Sequence, residues 1–129
     1  MTSKTEQLEQ RLTETGDGEV RFDKLSRVLY STDASMYQIE PIGVFLPKTR
    51  SDVIMAVQLA HELNIPVIPR GGGTGLAGQT VGHALIIDFS KYLNDIIELN
   101  VEERWVRVQP GVVLDELNAY LKPHGLHFA

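Results

Sequence analysis

The 129-residue chain carries 12 Lys and Arg against 17 Asp and Glu, a formal net charge of −5, and 43% of its residues are apolar. This is the composition of one ordinary globular domain, and its acidity argues against sequence-independent nucleic-acid binding, which rests on basic residues neutralising phosphates. Cysteine is absent, which excludes disulfides, Cys-type zinc sites and iron–sulfur ligation within these residues. No apolar run approaches the ~20 residues of a transmembrane helix, and no signal segment opens the chain, so the cytoplasm is the expected compartment.

The first element reads as a helix. Ser3 and Glu6 have capping-box spacing, but Leu8 and Leu12 are the only large apolar residues before Gly16, so the stripe needs a neighbour to pack on. After the Gly16-Asp17-Gly18 break, Phe22, Leu25, Val28 and Leu29 stand at the spacing of a second short helix. Ser31 to Pro41 is polar and irregular. Residues 1–38 are thus expected to form a separable helical segment, and residues 39–129 the domain proper.

From Ile42 the pattern alternates between strand and helix. Gly43 to Pro47 reads as a short buried strand. A helix follows with Val53, Ala56, Val57, Ala60 and Leu63 on one face, Thr49 or Ser51 as N-cap and Asn64 near the C-cap. Pro66 to Pro69 is a second strand, so a parallel βαβ unit is expected. Ala84 to Phe89 is a third. Asp95–Asn100 and Arg104–Gln109 flank a polar turn and read as a β-hairpin. Val113, Leu114, Leu117, Tyr120 and Leu121 mark a last helix, stopped by Pro123 and Gly125. Phe128-Ala129 stands where another strand is due, which suggests the N-terminal piece of a longer protein. The fold class is α+β.

Between the second and third strands lies the chemical signal. Arg70 to Gly78 holds five glycines in eight positions, 71, 72, 73, 75 and 78. Glycine lets a ligand approach the main chain, and successive N–H groups can form an anion-binding concavity. From Leu63 to Ile87, a run of 25 residues, Arg70 is the only formally charged residue. A flexible surface turn does not account for that pattern, whereas a diphosphate site requires it. Arg70 either contacts phosphate or fixes the loop through backbone carbonyls.

Two familiar motifs nearly fit. Gly73-x-Gly75-x-x-Gly78 matches the dinucleotide fingerprint, and Gly73-x-x-x-x-Gly78-Gln79-Thr80 matches the P-loop with Gln in place of Lys. Both need a helix directly after the loop, and Gln79 to His83 offers none.

Pro69 to Gln79, with Ile86 to Ser90 and Val108 to Val112, resembles the FAD-binding domain of the vanillyl-alcohol-oxidase/PCMH flavoprotein superfamily, in its glycolate oxidase, D-lactate and D-2-hydroxyglutarate dehydrogenase branch. The likeness covers about residues 35–129. It implies a small parallel βαβ-type sheet flanked by helices plus a β-hairpin, the first subdomain of a PCMH-type domain truncated before the second. It further implies that Pro69, Arg70, Gly71, Gly72, Gly73, Thr74 and Gly75 contact the FAD diphosphate. Gly78 and Gln79 would complete the loop, with Ser90, Pro110 and Gly111 nearer the flavin. Covalently flavinylated relatives carry a His in this loop where Thr74 stands here, so non-covalent FAD is expected.

The implied activity is FAD-linked oxidation of a small D-2-hydroxy acid, with substrate-binding, proton-abstracting and any metal-coordinating residues downstream, and the electron acceptor unspecified. The fragment alone is expected to be inactive. Alternatives are a same-fold FAD enzyme of other chemistry, such as a reductase or an alkylglycerone-phosphate synthase relative, or a stand-alone nucleotide-binding or interaction module.

The remaining candidates read more simply. His124-x-x-His127 straddles Gly125 and is expected to be a loop pair rather than a metal site. His83 is expected to face solvent rather than cofactor. Asp88 is expected to serve strand-end turn chemistry rather than bind a ribose, and Tyr92 and Trp105 to pack rather than flank a ring.

Overall fold

The computed structural model describes residues 2–35, 37–74 and 78–129. Helix α1 spans Lys4–Thr15, strand β1 Glu19–Arg21, the short helix α2 Lys24–Leu29 and strand β2 Gly43–Leu46. Helix α3 runs over Arg50–Glu62, followed by β3 (Val67–Arg70) and β4 (Leu85–Asp88). Strands β5 (Ile96–Asn100) and β6 (Trp105–Val108) form the expected hairpin, and α4 (Leu114–Leu121) runs into a 3-10 turn at Lys122–His124.

Among the described residues the main sheet has the order β1-β2-β4-β3. β2, β4 and β3 are parallel, and β1 adds antiparallel to β2. The βαβ unit formed by β2, α3 and β3 therefore brackets β4, which inserts between its strands. Every residue of β2 and β4 is buried, as expected of central parallel strands covered on both faces. Side-chain alternation divides the core. Phe45, Leu85 and Ile87 pack with Leu8 and Leu12 of α1 and with Ala56, Leu59 and Ala60 of α3. Val44, Leu46 and Ile86 point to the other face, where Tyr30, Ile68 and Tyr92 cover them.

The thin stripe on α1 finds its neighbour in α3, and both leucines are fully buried. Thr49 is the N-cap of α3, its hydroxyl accepting from the Asp52 N–H. Buried Asp52 in turn accepts from the backbone N–H groups of Asp17 and Lys48. This ties the turn before β1 to the start of α3.

Three local expectations change. The stretch after Gly18 first forms β1, and in α2 the expected apolar stripe of Leu25, Val28 and Leu29 is exposed while Ser26 is buried. On α3, Val57 lies at the edge of the stripe and is exposed, and Leu59 takes the core position. Val113, Leu114 and Tyr120 of the last helical segment face outward, leaving Leu117 and Leu121 as its buried pair.

Candidate functional site

Parallel strands deliver their C-terminal ends to one edge of a sheet, where ligands of open α/β sheets bind. Here the edge is made by β3 and β4. Arg70 and Asp88 are register partners, and the Phe89 N–H donates to the Arg70 carbonyl at 2.9 Å. The glycine loop leaves β3 at this edge, beside the turn that leaves β4. No helix follows the loop: Gln79 and Thr80 are in a turn that leads to β4. The reason for setting aside the Rossmann and P-loop motifs therefore holds in the structure.

The glycines of the loop differ in what requires them. Gly73 has φ +71°, and a Cβ there would lie 2.8 Å from Arg70 Nη2. A Cβ at Gly78 would lie 2.7 Å from the Tyr37 ring. Gly71 and Gly72 have no such constraint: an added Cβ would come no nearer than 3.5 Å to the Pro110 carbonyl at Gly71, and 3.7 Å to the Thr74 methyl at Gly72. Gly75 lies outside the described residues.

Arg70 is half-buried and its geometry favours one of its two expected roles. Its guanidinium donates from Nη1 to the Tyr30 carbonyl at 3.2 Å and from Nη2 to the Thr32 carbonyl at 2.7 Å. It also sits over the Tyr30 ring, 5.0 Å from the centroid, a cation–π arrangement. The charge thus fixes the segment beneath the loop while remaining against Gly73.

Asp88 closes the β4 turn, as expected. Its Oδ1 accepts from the Ser90 N–H at 2.9 Å and from the Ser90 hydroxyl at 2.7 Å, and its Oδ2 accepts from the Tyr30 hydroxyl at 2.6 Å. Burial, and then the Asp88 carboxylate, push the Tyr30 phenol up, so it stays protonated and donates. Gly111 is buried, its backbone N–H donates to the Leu93 carbonyl, and a Cβ would lie 2.7 Å from that same oxygen. The Pro110-Gly111 turn is thereby held beside Ser90's turn, with the Pro110 carbonyl against Gly71. Pro69, Gly72, Thr74, Gln79 and Pro110 are exposed along this edge.

The sequence model of the FAD-binding domain matches residues 41–129. This chain belongs to the FAD-binding domain family. The chain is 46% identical over 116 residues to D-2-hydroxyglutarate dehydrogenase of Haemophilus influenzae, a match covering 88% of this chain and 11% of that protein. It is also 46% identical over 92 residues to mitochondrial D-lactate dehydrogenase [cytochrome] of Kluyveromyces lactis, covering 68% of this chain and 16% of the relative. The fold matches that of 4-ethylphenol oxidase from Gulosibacter chungangensis, with a TM-score of 0.79 and 20% identity over 97% of this chain and 25% of that one. The FAD-binding domain described here thus spans about 11% of the length of the D-2-hydroxyglutarate dehydrogenases it matches.

The residues of this FAD-binding domain suit the cofactor of its family. Gly71 and Gly72 leave room that no described residue claims. Side chains there would fill the space over two successive backbone amides, where a diphosphate needs N–H donors and close approach.

The other candidates fall away from this edge. His83 is exposed, with Nδ1 3.4 Å from the Glu40 carbonyl. His124 packs against Tyr120, ring centroids 6.1 Å apart. Trp105 pairs with Glu103 and Arg107. Tyr92 donates to Glu19 and lies beside Lys48 and Lys91. Among the described residues no cluster of three His, Asp or Glu side chains forms a metal site. Sequence reasoning missed Tyr30, Thr32, Asp33, Ala34 and Tyr37, which reach the two described ends of the loop. Their one legible sign was Asp33-Ala34-Ser35, which has the spacing of an Asx turn, and the Ser35 N–H does donate to Asp33 at 2.8 Å.

Proposed function

We propose that this chain holds the diphosphate of FAD in an oxidoreductase acting on a small D-2-hydroxy acid. The observation that carries the reading is Gly72, exposed and, among the described residues, with no neighbour that requires a glycine there. In this reading the backbone of Pro69 to Thr74 meets the diphosphate, with Gly75, Gly78 and Gln79 completing the contact and Ser90, Pro110 and Gly111 toward the flavin. Each N–H to phosphate hydrogen bond contributes about 1.5–3 kcal/mol. Residues 39–129 are the first, pyrophosphate-binding subdomain, and residues 1–38 are its N-terminal segment, packed onto it through Leu8, Leu12 and β1.

The substrate class rests on the relatives: the D-2-hydroxyglutarate dehydrogenases and the yeast D-lactate dehydrogenase are 44–46% identical to this chain. Bound flavin supplies the two-electron acceptance that such an oxidation requires. This chain supplies placement: amides aimed at the diphosphate, and a loop anchored by Arg70. The group that takes the substrate's hydroxyl proton is assigned to the part of the longer relatives that this chain does not match.

The test uses the full-length protein. Purified enzyme is expected to show a flavin spectrum that bleaches anaerobically with D-2-hydroxyglutarate, D-lactate or glycolate, and Gly72→Val is expected to be purified without flavin. Undiminished flavin in the variant would refute the loop assignment. Flavin that none of the three acids reduces would refute the substrate class and favour a same-fold enzyme of other chemistry.

A further inference from the structure

Between α2 and β2, residues 31–32 are drawn together with residues 38–39. The Ile39 N–H donates to the Ser31 carbonyl at 2.9 Å, and Thr32 and Gln38 form an antiparallel bridge. Thr32, Asp33, Ala34 and Tyr37 touch the glycine loop at both of its described ends. At the entry, the Ala34 N–H donates to the Gly73 carbonyl at 2.9 Å, and Arg70 donates to the Thr32 carbonyl. At the exit, the Thr80 hydroxyl donates to Asp33 Oδ2 at 2.8 Å, and the Tyr37 ring lies against Gly78.

We infer that Asp33 is a positioning residue for the cofactor: through Thr80 it fixes the exit of the glycine loop while its neighbour Ala34 fixes the entry, which sets the loop backbone for the diphosphate. The inference rests on the reading of that loop as the FAD diphosphate site.

The chemistry explains why a carboxylate stands there. A negative charge beside an anion site is unfavourable, so a carboxylate there must offset that repulsion through bonds of its own. Asp33 has two acceptor duties on different oxygens: Oδ1 takes the Ser35 N–H, which shapes its own turn, and Oδ2 takes the Thr80 hydroxyl. Asparagine offers one acceptor oxygen; with that oxygen on the Ser35 N–H, its NH₂ would face the Thr80 hydroxyl, replacing a charge-assisted bond by a weaker neutral one. The hydrogen bonds from Ser35 and then Thr80 hold the Asp33 carboxyl at about 2, so it is ionised and acceptor-only at neutral pH. The 25-residue run around the glycine loop lacks carboxylates in the sequence; the fold brings one in from outside, with an oxygen aimed at the loop's exit.

The experiment measures the FAD dissociation constant of full-length protein after reversible flavin removal, for Thr80→Val, Thr80→Ser, Asp33→Asn, the double variant Asp33→Asn/Thr80→Val, and Gly72→Val as reference. Thr80→Val, nearly isosteric, and Asp33→Asn are each expected to weaken FAD binding about tenfold, the loss of one hydrogen bond to a charged group. Thr80→Ser restores the hydroxyl and is expected to bind as the wild type does. The double variant is expected to be no weaker than either single one, since both remove the same charge-assisted bond. Wild-type affinity in Thr80→Val, fully multiplicative losses in the double variant, or tighter binding in Asp33→Asn would each overturn the inference. A lowered apoprotein melting temperature in Thr80→Val with unchanged FAD affinity would do so too, because it would make the bond merely structural. If Gly72→Val loses flavin while Thr80→Val does not, the positioning role fails alone. If Gly72→Val also retains flavin, the underlying site assignment fails.

Discussion

Glycine serves three different ends within about fifty residues of this chain, and substitution separates them. At Gly111 the constraint is packing, since a Cβ would overlap the Phe89 carbonyl oxygen and crowd that of Leu93. Gly111→Ala is therefore expected to destabilise by ~3 kcal/mol, an overpacking cost. At Gly125 the constraint is backbone alone: φ is +71° and nothing lies within 4 Å of an added Cβ, so Gly125→Ala is expected to cost about 1 kcal/mol. Thermal or denaturant unfolding of the two variants checks the order, and equal losses would contradict it. Gly72 shows neither constraint, which is why its test is flavin content rather than stability. Thr74 carries a further prediction at this scale. With no nucleophilic His in its place, acid precipitation of the full-length holoprotein is expected to leave FAD in the supernatant. Flavin retained in the pellet would contradict non-covalent attachment.

Among the elements, β1 depends most on charge. It is three residues long with one apolar side chain, Val20, and its Glu19 accepts from Lys91 at 2.5 Å, from Tyr92 and from Arg21 at 2.6 Å. These bonds, Lys91 first, then Tyr92 and Arg21, hold the Glu19 carboxyl at about 2 against a usual 4.5. A carboxyl depressed on folding stabilises the folded state fully above its unfolded value, and loses that contribution as pH falls through its folded value. Glu19→Gln is thus expected to melt below wild type at pH 7, with the gap closing between pH 4.5 and about 2. A gap that is constant across that window would refute the role.

The same element shows why some structure was illegible. Glu19-Val20-Arg21 alternates over only three residues, too few to recognise, and becomes a strand because β2 offers an open edge. Leu25, Val28 and Leu29 suggested a buried helix face, yet only tertiary placement decides which side of a six-residue helix meets the sheet. α3 was legible because apolar period and cap agreed over 13 residues, and β2, β3 and β4 because each is a short apolar run bounded by Gly, Pro or a polar turn.

For the molecule as a whole, the site is one wall. Gly72, Thr74, Gln79 and Pro110 are exposed along the sheet edge, whereas cofactor sites enclose most of their ligand. Residues 1–129 alone are therefore expected to bind FAD far more weakly than the full-length protein, with little contact surface to offset the lost freedom of the ligand. Tight stoichiometric binding measured by flavin fluorescence would contradict this. Among the described residues no helix is long and apolar enough to cross a membrane.

By itself the sequence determined the α+β class, the run of strands and helices, and a glycine loop after a strand with no helix behind it, because these depend on neighbours along the chain. Only the tertiary structure decided how that loop is held. Arg70 reaches carbonyls some forty residues away in sequence, and Asp33 reaches Thr80 across 47. A carboxylate-free stretch of sequence is not a carboxylate-free volume: hydrogen bonds over such separations leave no period in the chain, and they exist only once parallel strands have brought their ends together.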